Sequence, residues 1–249
     1  MDSEKIKSNL NQKGYSVLNT FYSEIEINEL INCIDTYEAE QKLDSSSGAI
    51  FAIRQVLKAI PELKPKLFSP KFVEFISSLF SSKPFLTKAI YFDKPSDSNW
   101  FVAYHQDLSI TVNQKSDIET YTNWTFKKGQ YGVLPPVQIL ENSLTIRIHL
   151  DDTDEENGAL RVVPKSHLKG IIKPKTKAWN TENEEVCKVS KGGIMLMKPL
   201  LLHASSRTAN NKRRRVIHLE FNTQELAKPL LWAEREDLLA QVNSLKDLI

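Results

Sequence analysis

"FLTKAIYF", residues 85–92, is the point at which the hydrophobic period of this chain changes. It is short, rich in apolar and β-branched residues, and runs into Asp93, Lys94 and Pro95, which reads as a strand rather than a helix. The runs downstream have the same character: "SLTIRIHL" (143–150), "ALRVVP" (159–164), "GIMLM" (193–197) and "RVIHLEF" (215–221), each bounded by Pro, Gly, Asn or Asp. Upstream the period is helical. Ser23 followed by Glu26 is a capping-box signature, and Ile25, Leu30, Ile31, Ile34 and Tyr37 recur at helical spacing. Ser69-Pro70 opens a second helix with Phe72, Phe75, Ile76 and Leu79 on one face. These patterns predict a helical part over 1–84 and a mainly β core over 85–222. A C-terminal amphipathic helix is expected over 223–249, with Leu231, Trp232, Leu238, Leu239 and Val242 near one side, packed on the core or on a second subunit in a homodimer. No repeat or composition shift divides these parts, so 1–249 is expected to be one domain, with loose stretches at 41–49 and 175–185.

The 33 Lys+Arg against 31 Asp+Glu leave a formal charge of +2, which supplies no field for nucleic acid or an anionic membrane. The basic run Lys212 to Arg215 has no aromatic stacking platform beside it. Cys33 and Cys187 are far apart and lack metal-ligand spacing, which fits a reducing compartment. The N-terminal residues lack a signal-peptide pattern, and no apolar run reaches the roughly 18 residues of a membrane span. The expectation is a cytoplasmic protein whose partner is a small molecule. Within "DDTDEENGALRVVPKSH" (151–167), Asn157-Gly158 predicts a hairpin turn, and the ligand spacing of a calcium loop is absent.

Against this background the histidines stand out, because there are only five. On a strand, residues i and i+2 share a face, so His105 and Asp107 in "FVAYHQDLSI" (101–110) present an imidazole and a carboxylate side by side. Such a pair can be a simple hydrogen-bonded contact at a strand end. With one distal histidine it becomes a two-His-one-carboxylate facial triad, which binds Fe(II) and leaves open positions. His203 is the best candidate, with His149, His167 and His218 competing. Beyond His203 come Ser205 and then Arg213-Arg214-Arg215 entering an apolar strand, where alternation turns at least one guanidinium inward, toward a carboxylate.

In these features the chain resembles the phytanoyl-CoA dioxygenase family of Fe(II)- and 2-oxoglutarate-dependent oxygenases, over residues 10–221. "GYSVLNTFYSEIEINEL", "DKPSDSNW" before "YHQDL", "LDDTDEENGALRVVPKSH" and "HASSRTANNKRRRVI" occur in the family's order. The resemblance implies a jelly-roll fold, the double-stranded β-helix. It implies His105, Asp107 and His203 as iron ligands, and Arg214, Ser205 and Arg147 around 2-oxoglutarate. It further implies that O2 and 2-oxoglutarate are consumed in hydroxylating a small metabolite, with release of succinate and CO2. Asp107 keeps the carboxylate ligand that halogenating relatives lack. Lys165 departs from the pattern, standing where the family usually has Gly before Ser-His, and the segment between "HQDL" and the strand at 143 is long.

That segment, 111–142, reads as a lid over the barrel mouth, with Trp124, Phe126 and Tyr131 as its substrate contacts and His149 on the same strand face as Arg147. Two other functions share part of the signature. A metal-dependent cupin-like isomerase or dioxygenase would keep the triad without needing Arg214. A non-catalytic sensor of metal or 2-oxoglutarate would bind without turnover.

Overall fold

The computed structural model describes residues 2–44, 52–94, 101–172, 183–210 and 212–238. The chain begins α1 (Ser3–Gln12), β1 (Tyr15–Leu18), α2 (Glu24–Asp44), β2 (Ala52–Arg54), α3 (Val56–Ala59), α4 (Leu63–Leu67) and α5 (Pro70–Leu79). It continues through β3 (Phe85–Lys94), β4 (Val102–His105), β5 (Ile110–Val112), β6 (Thr122–Lys127), β7 (Gln130–Leu134), α6 (Val137–Glu141) and β8 (Leu144–His149). The last strands are β9 (Leu160–Val163), β10 (Glu185–Cys187), β11 (Ile194–Met197), β12 (Leu202–Ser205), β13 (Arg214–Asn222) and β14 (Glu236–Asp237). All pairings are antiparallel. The large sheet runs β1-β11-β8-β13-β3-β14, with β2 also on β3, and the smaller one runs β10-β9-β12-β4. Together they make the open jelly-roll expected of the β core.

The large sheet is buried on both faces, which explains its nearly continuous apolar strands. One face carries Tyr91, Ile146, Ile148, Ile194, Leu196, Ile217 and Leu219 into a core shared with the helices. Helix α2 is capped reciprocally: Glu26 N–H donates to Ser23 Oγ at 3.3 Å, and Ser23 N–H donates to the Glu26 carboxylate at 2.7 Å. Its buried stripe is Ile27, Leu30 and Ile34, whereas Ile25 is 74% exposed. Two residues along a helix turn it through about 200°, so Ile25 and Ile27 cannot share a face. Helix α5 starts as expected at Ser69, whose Oγ accepts from Phe72 N–H at 3.3 Å.

The opposite face of the large sheet looks toward the small sheet. Met195 and Met197 meet Leu160, Val162 and Cys187 at one end of this interior, and polar residues fill the rest. The expected hairpin at Asn157-Gly158 is not one, because β8 belongs to the large sheet and β9 to the small. Asp154 accepts from Glu156 and Asn157 N–H groups, which winds 155–157 into a 3-10 turn that carries the chain across. Gly158 nevertheless takes the left-handed φ of +82° that its position suggested.

The C-terminal expectation also needs correction. Residues 229–237 are not helical: Trp232 bridges to Val112, and Glu236–Asp237 add to β3. Trp232 joins Leu230 in a satellite core beneath the β5-β7-β6 sheet, whereas Leu231, expected on the same helix side as Trp232, is 59% exposed. Residues 239–249, including Leu239 and Val242, lie outside the described residues, as do 45–49 and 175–182 from the two loose stretches. Among the described residues no helix is long and apolar enough to cross a membrane.

Lys165 adopts φ +66°, the left-handed region that glycine tolerates and other residues enter at a cost. Its backbone N–H donates to Lys13 O at 3.0 Å, which holds that conformation. Lys165→Gly is therefore expected to raise unfolding stability by about 1 kcal/mol, read from urea midpoints at constant m-value.

Candidate metal centre

His105 closes β4 and faces His203 on β12 directly, as paired residues of the small sheet. Their ring centroids lie 4.2 Å apart. Asp107 is not in the strand: the chain leaves β4 after His105, and Asp107 N–H donates to Pro199 O at 2.9 Å. Its carboxylate stands beside the two imidazoles because of that turn, not because of strand alternation. Gln106 holds the turn from inside, donating through Nε2 to Gly170 O at 2.8 Å and Leu200 O at 2.7 Å and accepting Ile172 N–H at 2.8 Å.

The ligand atoms of His105, Asp107 and His203 lie within 4.8 Å of one another. Asp107 Oδ1 is 3.7 Å from His105 Nε2, and Oδ2 is 3.8 Å from His203 Nε2. Each histidine has Nδ1 against a backbone carbonyl, Ala103 O at 2.8 Å and Leu201 O at 2.9 Å. A carbonyl only accepts, so Nδ1 carries the hydrogen and Nε2 keeps its lone pair toward the other two residues. Burial, partly offset by Asp107, pulls the His203 imidazole down to about 4, so it is neutral at pH 7 as ligation requires. The donor set suits a divalent ion with bonds of about 2.1 Å and sites to spare.

A 210 Å³ cavity between the sheets joins these residues to Arg147, Ser205, Arg214 and His218. Arg214 is 4% exposed and donates to Gly158 O, while its Nε is buried without a partner. Arg147 is also buried, donates to His218 Nδ1 at 3.3 Å, and likewise leaves Nε unpartnered. Burial, and then the neighbouring Arg147 charge, pull Arg214 down to about 9; burial pulls Arg147 to about 10. Two dry guanidiniums with donors to spare make a receptor for an anion. The flanking arginines go the other way. Arg213 forks onto Asp93 at 3.0 and 2.6 Å and reaches Glu38, and Arg215 holds Asp151 at 2.9 and 2.8 Å.

A model of the phytanoyl-CoA dioxygenase family matches residues 10–216. This chain belongs to that family. It is thus an enzyme of the non-haem iron/2-oxoglutarate oxygenase superfamily. No curated protein matches it in a sequence search. Among solved structures it is similar to EctD from S. alaskensis with bound Fe, at 17% identity and TM-score 0.70, over 92% of this chain and 80% of that one. The non-haem monooxygenase ThoJ shares 14% identity at TM-score 0.66, over 97% and 94% of the two chains. The epimerase SnoN, solved with Fe3+, alpha ketoglutarate and nogalamycin RO, shares 14% at 0.63, over 88% and 83%. At these identities the likeness concerns the fold.

A second cavity, of 450 Å³, opens on the other side of Asp107 and His218. Here the family member departs from the lid expected over 111–142. That segment builds a three-stranded sheet, β5-β7-β6, which walls the cavity. Thr125, Lys127, Gln130 and Gly132 line it, whereas Trp124, Phe126 and Tyr131 alternate onto the other face. Trp124 and Tyr131 pack on the satellite core, with the Phe126 ring 4.7 Å from Tyr131. His149 lines neither cavity; it is buried with Nδ1 2.7 Å from Thr153 Oγ1. His167 sits apart, with Nε2 3.2 Å from Asn11 O.

Sequence reasoning missed the role of His218, weighed only as a rival ligand, and of its neighbours. Arg147 can only donate, so His218 Nδ1 accepts and Nε2–H donates to Glu220 at 3.0 Å. Lys88 donates to the same Glu220 oxygen at 2.9 Å. The signal was present, since 214, 218 and 220 share one face of a strand. Gln106→Ala is expected to weaken Fe(II) binding about tenfold under anaerobic titration, because it frees the turn between two ligand residues.

Proposed function

We propose that this protein hydroxylates a small metabolite, with Fe(II) held by His105, Asp107 and His203 and 2-oxoglutarate held by Arg214, Ser205 and Arg147. The observation that carries the reading is Arg214: a buried guanidinium with a spare donor, facing the same cavity as the three ligand residues and lacking a carboxylate partner among the described residues. A buried charge is tolerated when something pairs with it, and a dicarboxylate co-substrate supplies that partner. Iron with 2-oxoglutarate bound supplies the O2-dependent oxidation, releasing succinate and CO2.

The protein's own part is positioning. His105 and His203 offer Nε2 because backbone carbonyls hold the hydrogens on Nδ1. Arg214 grips a carboxylate through its rigid fork, with Ser205 and Arg147 lining the same space. Gly158 aims Arg214 by accepting its Nη1–H. A side chain there would meet Ser206 O and Lys94 Nζ at 2.8 Å, so glycine is needed. Arg147, Ser205 and Arg214 are buried, and the low local dielectric strengthens the contacts they make. Asp107 as a third protein ligand favours oxygenation over halide incorporation.

Arg214→Ala is expected to bind Fe(II) normally but to lose roughly 2–5 kcal/mol of 2-oxoglutarate affinity, since a buried carboxylate is left unpaired. That is on the order of thirty-fold to several-thousand-fold in Kd by calorimetry. Arg214→Lys should recover part of it, because a point charge cannot reproduce the fork. Arg213→Ala and Arg215→Ala should leave 2-oxoglutarate binding within a few-fold. Wild-type affinity in Arg214→Ala would overturn the reading. Replacing His105, Asp107 or His203 by Ala should abolish high-affinity Fe(II) binding with the fold retained, as judged by metal stoichiometry and circular dichroism. Succinate formation in the wild type with iron, ascorbate, O2 and 2-oxoglutarate separates this function from a cupin-like isomerase or a sensor.

A further inference from the structure

The second cavity has a largely apolar lining crossed by several charged side chains, and those charges do not balance. Three cations line it, Arg54, Lys88 and Lys127, against two carboxylates, Asp107 and Glu220. Asp107 faces the metal side. Lys88 and Glu220 satisfy each other at 2.9 Å, Lys88 also donating to Ser109 O at 3.0 Å and Glu220 also accepting from His218. That leaves Arg54 and Lys127, neither of which has a carboxylate partner among the described residues.

These two reach the cavity from different sheets. Arg54 is on β2, paired with Ile90, which pairs in turn with His218. Two strand spacings, about 10 Å, therefore separate the Arg54 and His218 backbones. Lys127 comes from the facing wall, where it pairs with Gln130 across a two-residue turn. Lys128 and Gly129 in that turn have φ +50° and +75°, the left-handed pair of a tight hairpin that fixes where Lys127 stands.

We infer that this cavity takes a substrate bearing an anionic group, a carboxylate or a phosphate, clamped between Arg54 and Lys127 at the end away from the metal ligands. The inference rests on the oxygenase reading above, and it gives the substrate class that reading leaves open. An anion at Arg54 sets the rest of a small substrate along Ile90 toward His218 and Asp107, one strand spacing at a time. The 450 Å³ volume fits a metabolite of modest size rather than a long acyl chain with its carrier.

The test uses the full-length protein loaded with Zn(II) and 2-oxoglutarate, which binds without turning over. Small metabolites are offered as matched pairs, each carboxylic acid with its primary amide and each phosphomonoester with its parent alcohol, and binding is read by saturation-transfer NMR. Anionic members should bind and their neutral partners should not, and which anionic arm binds identifies the group. Arg54→Gln and Lys127→Gln should each weaken the binders at least tenfold, equivalent to about 1.4 kcal/mol, with 2-oxoglutarate affinity unchanged. Arg54→Lys should retain part of the binding. Both side chains lie on exposed residues, so the variants are expected to melt like the wild type. Equal binding of neutral members, no anionic binder, or unchanged affinity in both Gln variants would overturn the inference. Failure of 2-oxoglutarate itself to bind the wild type would instead overturn the oxygenase reading.

Discussion

The register of β13 governs this molecule. A slip of one residue would turn Arg214, His218 and Glu220 out of the interior and bring Arg213, Arg215 and Ile217 in. Two sets of contacts prevent it. Ile217, Leu219 and Phe221 are buried among the helices, and Arg213 and Arg215 hold Asp93 and Asp151. Asp93 lies on the same face of β3 as buried Tyr91, beside Glu38 of the helical layer. The three consecutive arginines are thus one device: the outer two are paired with acids, and the middle one has no acid partner among the described residues and lines the cavity.

From that register follows a polar line across the interior. Arg147 donates to His218, His218 donates to Glu220, and Lys88 donates to Glu220 from the far side. The donor and acceptor roles of His218 and Glu220 are set by their neighbours, while Arg147 keeps its Nε donor spare. The line runs from the cavity beside Arg214 to the cavity beside Arg54, passing the ligand residues at His218. The two cavities therefore share one wall, made from alternate residues of three adjacent strands. The small sheet contributes the other half, bringing His203 opposite His105 by direct pairing.

The helical lead and the third sheet serve this arrangement from outside. The helices cover the apolar face of the large sheet, so its strands can be buried on both sides without exposing hydrophobic surface. The β5-β7-β6 sheet walls the larger cavity with a fixed register. Its Trp124 and Tyr131 pack on a satellite core rather than on the cavity.

What the sequence by itself determined was whatever depends on near neighbours along the chain. The caps at Ser23 and Ser69, the strands at 85–94, 144–149, 194–197 and 214–222, and the opposed directions of Arg213, Arg214 and Arg215 all follow from periods of 3.6 or 2 and from local hydrogen bonds. Even the departure at Lys165 was legible, since a motif glycine marks a left-handed backbone and Lys165 adopts it. Other features were decided only by tertiary structure. Asp107 reaches the histidines through a turn held by Gln106 and Pro199, contacts more than sixty residues away in the chain. Asn157-Gly158 became a sheet crossing because β8 and β9 found partners in different sheets. Trp232 fills a satellite core rather than a helix face, and Trp124 and Tyr131 point away from the larger cavity, because a period shows which residues share a side but not what that side will meet.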